Sequence, residues 1–182
     1  MNIDKKLRLA SVNKESIVDG EGLRYVIYEQ GCSHKCPGCH NPETHDFKGG
    51  KLVTIKKILE DINKNPLIEG ITLSGGDPFF QAKNNIILMQ ELKKKKYNIW
   101  VYTGFRMEEF LAKIDGNRSN EKITDYMIEM LRYADIVVDG RFEEKNKSLL
   151  CKFRGSTNQR IIDVKKTLDT KVITEIYKGD IN

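Results

Sequence analysis

Apolar residues recur along this chain in two rhythms that take turns. Residues 23–30 (LRYVIYEQ) are rich in aromatic and β-branched side chains and predict a strand. Ile55, Ile58, Leu59 and Ile62 then fall at i, i+3, i+4 and i+7 behind Thr54, which suits a helix N-cap, so an amphipathic helix follows. Ile71-Thr72-Leu73 predicts a short second strand, broken by Gly75-Gly76-Asp77-Pro78. A helix over roughly residues 84–95 leads to a third strand at residues 99–102, which stops at Thr103-Gly104. Met107, Phe110, Leu111 and Ile114 mark a further helix face, ended by Asp115-Gly116-Asn117; Ile123, Met127, Met130 and Leu131 mark the next. Ile136-Val137-Val138 reads as a buried fourth strand ending in Asp139-Gly140, and residues 160–164 as a last one. Residues 172–177 (VITEIY) have strand composition, but their lysine-rich surroundings at the chain end leave the order of the tail open.

Strands alternating with helices predict an α/β fold with a parallel sheet and right-handed crossovers. A single domain over residues 1–164, followed by a tail at residues 165–182, is the expected organisation. In such folds ligands bind beyond the carboxyl ends of the strands. Each unusual loop here follows a strand: a cysteine loop after the first, Ser74-Gly75-Gly76-Asp77 after the second, Thr103-Gly104 after the third, Asp139-Gly140 after the fourth. The four loops are therefore expected to meet in one site.

Composition changes this picture little. With 182 residues and 39% hydrophobic side chains, the chain can bury one proper core. No apolar run approaches a membrane span and the first residues lack a signal-peptide core, so a cytoplasmic protein without membrane contact is expected. The net charge of +5 is modest. Lys93-Lys94-Lys95-Lys96 fits the carboxyl end of a helix, where cations offset the dipole. Without interleaved aromatics or a recognisable module, nucleic-acid binding is not expected.

Chemistry enters with Cys32-Ser33-His34-Lys35-Cys36-Pro37-Gly38-Cys39, a C-x₃-C-x₂-C loop, while Cys151 lies far off. Clustered cysteines in a reducing compartment mean metal or redox chemistry more often than disulfides. Three thiolates can hold three irons of a [4Fe–4S] cluster and leave the fourth open, whereas four would seal it. A zinc site using the three cysteines and His34, His40 or His45 is the other reading the ligand types allow. Gly75-Gly76 permits a close backbone approach to a ligand, or merely ends a strand. Cys151 reads as a small structural thiol, His34 and His45 as loop residues, Trp100 and Tyr102 as sheet packing. Arg154 and Arg160 suit a carboxylate of a cofactor or partner, or an ordinary ion pair.

The cysteine spacing resembles that of the radical S-adenosylmethionine enzymes, and the glycine pair resembles their methionine-binding loop. Within them, the chain is similar to the glycyl-radical activase branch that serves anaerobic ribonucleoside-triphosphate reductase. The likeness runs in order through Val18-Asp19-Gly20-Glu21-Gly22-Leu23-Arg24, the cysteine loop from Gly31 to Pro42, Leu73-Ser74-Gly75-Gly76-Asp77-Pro78, Ile99-Trp100-Val101-Tyr102-Thr103-Gly104, Val138-Asp139-Gly140-Arg141-Phe142 and Phe153-Arg154-Gly155-Ser156-Thr157-Asn158-Gln159-Arg160. Glu21 stands where that branch usually carries Pro, and His40 where Tyr is frequent. The resemblance implies a single-domain partial (β/α) barrel with a parallel sheet. It implies a cluster on Cys32, Cys36 and Cys39 and S-adenosylmethionine at Gly38, Cys39, His40, Gly75, Gly76, Asp77, Thr103 and Asp139. It implies no catalytic residue beyond cluster and cofactor, which together yield a 5′-deoxyadenosyl radical that makes a glycyl radical on the reductase. Flavodoxin or ferredoxin is the implied electron donor and the large reductase subunit the partner, recognised through residues 19–22 or 141–154. A different activase, a deazaguanine-forming synthase and a zinc-stabilised binding module are the alternatives.

Overall fold

The computed structural model describes residues 2–116 and 122–177. In chain order the strands are β1 (Lys6–Ser16), β2 (Arg24–Glu29), β3 (Lys51–Thr54), β4 (Gly70–Gly75), β5 (Asn98–Tyr102), β6 (Ile136–Asp139), β7 (Arg160–Asp163) and β8 (Glu175–Ile176). The helices are α1 (Ile55–Ile62), α2 (Ala82–Lys94), α3 (Met107–Ile114), α4 (Asp125–Leu131) and α5 (Val164–Thr170). All eight strands form one sheet in the order β3-β1-β2-β4-β5-β6-β7-β8.

The expected parallel sheet is its centre. β2, β4, β5 and β6 run parallel, and the elements between them carry the crossovers: α1, α2, then α3 and α4. The flanks depart from the expectation, because β1 pairs antiparallel with β2 and β3, and β7 pairs antiparallel with β6 and β8. Between β6 and β7 the only regular element is a 3₁₀ turn at Glu144–Asn146, so no helix carries the chain back across the sheet and it returns as a neighbouring antiparallel strand. Much of the tail is ordered: Asp163 caps α5 by accepting from Lys166 N at 2.9 Å, and Ile161 and Ile162 pair with Ile176 and Glu175. The tail's last residues, 178–182, and Asn117 of the expected helix break lie outside the described residues. Among the described residues no helix is long and apolar enough to cross a membrane.

Alternation along the parallel strands sorts the two faces. Tyr25, Ile27, Ile71, Leu73, Ile99, Val101 and Val137 point to the side packed by α1–α4 and build the main core. Trp100, Val138 and Ile161 point to the other side and meet Phe153 and Tyr177 from irregular segments. Arg24 belongs to this second face and is almost wholly buried, with no ion pair to a carboxylate among the described residues. It donates instead to Thr72 Oγ1 at 2.7 Å, Glu21 O at 2.8 Å, Ile71 O at 2.8 Å and Asn98 O at 3.1 Å, and lies over the Trp100 ring. Burial lowers its pKa to about 10. Thr72 Oγ1 in turn donates to Asp19 O at 2.7 Å, so residues 19–21 are pinned across the helix-free face.

Glu29, at the end of β2, is fully buried on the helical side. Its Oε2 accepts from Gln81 Nε2 at 2.9 Å, while its Oε1 and the Oδ1 of Asn85 are both buried with no donor. Asn85 Nδ2 is committed to Pro78 O at 2.8 Å. A proton on Glu29 donated to Asn85 satisfies both orphan oxygens. Burial drives the same outcome, raising the Glu29 pKa well above the usual carboxylate value. The folded chain thus keeps a proton that the unfolded chain releases above pH ~4.5, and stability falls as pH rises from there toward the folded value. Glu29→Gln supplies the same donor and acceptor without ionising. We expect it to exceed wild type in stability at pH 8, with the gap closing near pH 4.5. Urea unfolding at both pH values measures the gap.

Candidate functional site

Beyond the carboxyl ends of the parallel strands lies a cavity of about 890 Å³, within the range of roughly 300–1,000 Å³ typical of small-molecule sites. Cys32, Cys36 and Cys39 line it together with Ser74, Gly75 and Gly76 from the end of β4. Thr103 and Gly104 after β5, and Gly140 after β6, complete the strand-end wall. The four loops thus meet in one place, as their positions after strands predict.

The cysteine loop is tied at its base. Gln30 Nε2 donates to Glu43 O at 2.9 Å and Asp46 O at 2.7 Å, and Gly31 N donates to Thr44 O at 2.8 Å. Inside the loop, Cys39 N donates to Cys36 O at 3.1 Å, a turn that needs Gly38 at φ +70°. Backbone N–H groups also reach sulfur: Asn41 N lies 3.4 Å from Cys39 Sγ, and the Cys32 and Cys36 sulfurs take bonds from the His34 and Phe142 backbone. Such donors favour thiolate, but burial outweighs them, pushing the Cys32 thiol up to about 11 and Cys36 upward as well. Protons therefore leave these sulfurs only as metal arrives. Among the described residues no three His, Cys, Asp or Glu side chains are arranged to hold a single ion. A cluster asks for one thiolate on each of several irons, which suits sulfurs distributed around a cavity.

Asp77 was expected at the cofactor, but the structure turns it inward. It is 1% exposed and does not line the cavity. Its Oδ2 accepts from His34 Nε2 at 2.8 Å, Thr103 Oγ1 at 2.8 Å and Gly104 N at 2.9 Å; its Oδ1 accepts from Phe79 N at 3.0 Å. Both oxygens are committed. The His34 ring, from within the cysteine loop, packs edge-on to Phe105 at 4.7 Å and fits because residue 104 is glycine: a Cβ there would stand 2.5 Å from His34 Cδ2. His34, which the sequence marks only as a loop histidine, is thus the link between that loop and Asp77. The glycine pair also has a structural reason. A Cβ on Gly75 would stand 2.5 Å from Glu29 N, and one on Gly76 2.5 Å from Gly31 O.

Asp139 is likewise buried behind the wall. It accepts from Met107 N at 2.7 Å and from Arg160 Nε at 2.9 Å, and Arg160 also forks onto Glu108 at 2.8 and 2.7 Å. The Glu108 carboxyl, bonded to Arg160, is held down at about 2. Asp139 and Arg160 therefore form an ion-paired strut from β7 to α3, away from the cavity. Gly38 does not line the cavity either; its Cα faces the Glu144 carboxylate. Thr103 and His40 do line it, the latter with its ring 4.6 Å from Phe142. Trp100 packs in the sheet as expected, but Tyr102 borders the cavity and donates to Phe153 O at 2.7 Å. Tyr28 and Cys151 are cavity residues that sequence reasoning did not place there, while His45, offered as a zinc ligand, and Arg154, offered for a carboxylate, line the cavity too. For Tyr28 and Tyr102 a signal existed: each sits at i+2 or i+4 from Arg24 or Trp100 on the helix-free face.

A family model described as a 4Fe-4S single cluster domain matches residues 18–162. The anaerobic ribonucleoside-triphosphate reductase-activating protein of Enterobacteria phage T4 is 32% identical over 79% of this chain and 86% of its own. Those of Haemophilus influenzae and Escherichia coli K12 are each 31% identical, over 80% and 79% of this chain and 90% of theirs. The chain belongs to this family of reductase-activating proteins. The family's 4Fe-4S domain runs from the turn before β2 into β7, and so contains the cysteine loop and every parallel strand. Among solved structures, QueE from Escherichia coli is similar over 54% of this chain and 53% of its own, at 15% identity and a TM-score of 0.44.

In this family member, removing the Asp77 carboxylate strands four buried donors at once. Asp77→Ala is expected to cost on the order of 3 kcal/mol or more, lowering the melting temperature by roughly 6–12 °C. Calorimetry on the metal-free protein measures this, and a change of less than ~2 °C would contradict the anchoring role.

Proposed function

We propose that this chain activates an anaerobic ribonucleoside-triphosphate reductase by holding a [4Fe–4S] cluster on Cys32, Cys36 and Cys39 and S-adenosylmethionine beside it. Support comes from the cavity, where three sulfurs of one loop face the same space as Gly75, Gly76 and Thr103. Three thiolates for four irons leave one iron free for a ligand, the mark of a catalytic metal site. When bound, the pair would supply reductive cleavage of the sulfonium, in which one electron from an external low-potential donor would release methionine and a 5′-deoxyadenosyl radical able to take hydrogen from a backbone glycine of the large reductase subunit, giving 5′-deoxyadenosine and a glycyl radical.

The chain's own residues have the supporting tasks. Asp77 and His34 fix the cysteine loop against the ends of β4 and β5. Phe142, Phe153, Tyr28 and Tyr102 give the cavity an aromatic wall that limits water near the reactive centre. Ile17, Val18 and Leu149 line the rim and are 73%, 71% and 94% exposed, an apolar margin suited to a protein partner. Flavodoxin or ferredoxin fits the need for an external low-potential donor, and the open sheet fits the wall of a partial (β/α) barrel.

A second reading rests on Cys151, a buried thiol lining the same cavity. Bound to the fourth iron, it would seal the cluster and leave electron transfer alone. Anaerobic reconstitution separates the two. Cys36→Ala is expected to lose most of its iron and to lower 5′-deoxyadenosine formation by more than the roughly 10–100-fold that outer-shell changes cause. Cys151→Ala is expected to keep both, and wild type to generate a glycine-centred spin signal on the reductase. Full turnover by Cys36→Ala would refute the ligand assignment. Wild type that yields no 5′-deoxyadenosine while Cys151→Ala yields it would favour the sealed cluster.

A further inference from the structure

Among the described residues, four cationic side chains and two carboxylates line the cavity: Arg141, Lys147, Lys152 and Arg154 against Asp19 and Glu43. Asp19 is engaged by Ser16 Oγ at 2.5 Å. The two arginines that close the chain's irregular segment differ sharply. Arg160 is saturated by Asp139 and Glu108. Arg154 borders the cavity, and its Nε is buried with no hydrogen-bond partner among the described residues. No ion pair among the described residues includes it.

The backbone around Arg154 is fixed. Phe153 O accepts from Tyr102 Oη at 2.7 Å, and Gly155 N and Ser156 N donate to Gln159 Oε1 at 3.0 and 3.2 Å. Gly155 packs directly on the cysteine loop, since a Cβ there would stand 3.0 Å from His40 Cε1. A buried, unpaired N–H at the wall of the cavity that the cysteines line is costly, and a bound anion offsets that cost. The planar fork of a guanidinium matches a carboxylate two-handedly. Asp77, with both oxygens committed inside the protein, is not free to recognise a charged end of a ligand.

We infer that Arg154 receives the α-carboxylate of the amino-acid end of the cavity's ligand, which is S-adenosylmethionine under the function proposed above, on which this rests. Equilibrium dialysis of anaerobically reconstituted protein against S-adenosylmethionine and its decarboxylated analogue tests it. Wild type is expected to prefer the carboxylate. In Arg154→Gln, affinity for S-adenosylmethionine should fall by about tenfold or more. Affinity for the analogue should hold, so the preference shrinks by the same factor. Iron and sulfide content should match wild type, and Arg154→Lys should recover part of the preference. An unchanged preference in Arg154→Gln would overturn the assignment. So would unaltered S-adenosylmethionine binding with weakened binding of the large reductase subunit, which would put the anion on the partner. Wild type that binds neither compound would instead defeat the function on which the assignment stands.

Discussion

The arrangement of this site depends on one buried carboxylate. Asp77 stands at the exit of β4, yet it reaches sideways to the β5 exit through Thr103 and Gly104 and to the cysteine loop through His34. Backbone bonds such as Asp77 N to Gly31 O at 3.0 Å and Thr103 N to Val138 O at 2.9 Å tie neighbouring exits in pairs. A hub that accepts across these pairs joins three of the exits into a single wall. Its low-dielectric surroundings strengthen each bond and make each missing partner costly. The glycines on either side follow from the same crowding, because only residues without Cβ let these backbones pass so closely.

The sheet divides labour between its faces. The helical side carries the large apolar core, including the proton-holding Glu29. The opposite side carries Arg24, Thr72 and Trp100 toward one end and the tyrosines toward the cavity. Irregular segments rather than helices cover that side: residues 17–22 from one direction and residues 141–159 from the other. Such segments can change in sequence without disturbing the core, which is where substrate recognition can be tuned at little cost to folding.

The central strands were legible because their apolar runs are short, continuous and closed by glycine turns. β1 and β3 were not. In β1 only Leu7, Leu9 and Ser16 are buried, and Ser11 to Glu15 are exposed, so no period-2 signal survives over most of its length. The cysteine loop announced itself by spacing, and the cavity by the positions of loops after strands. The direction of an acidic side chain after a glycine was not readable. Asp77 follows β4 and Asp139 ends β6, but their surroundings are set by Gly75 at φ +95° and by Arg160 returning on an antiparallel strand, neither of which spacing encodes. The same return strand explains why Arg154 and Arg160, similar in sequence, have opposite surroundings.

The outermost strands of the sheet have a consequence for assembly. β3 is four residues long and β8 two. Unpaired backbone at a sheet margin is a template for adding a foreign strand, and so short a template gives little grip. Polymerisation through these margins is thereby discouraged in a member of a family whose proteins activate another enzyme.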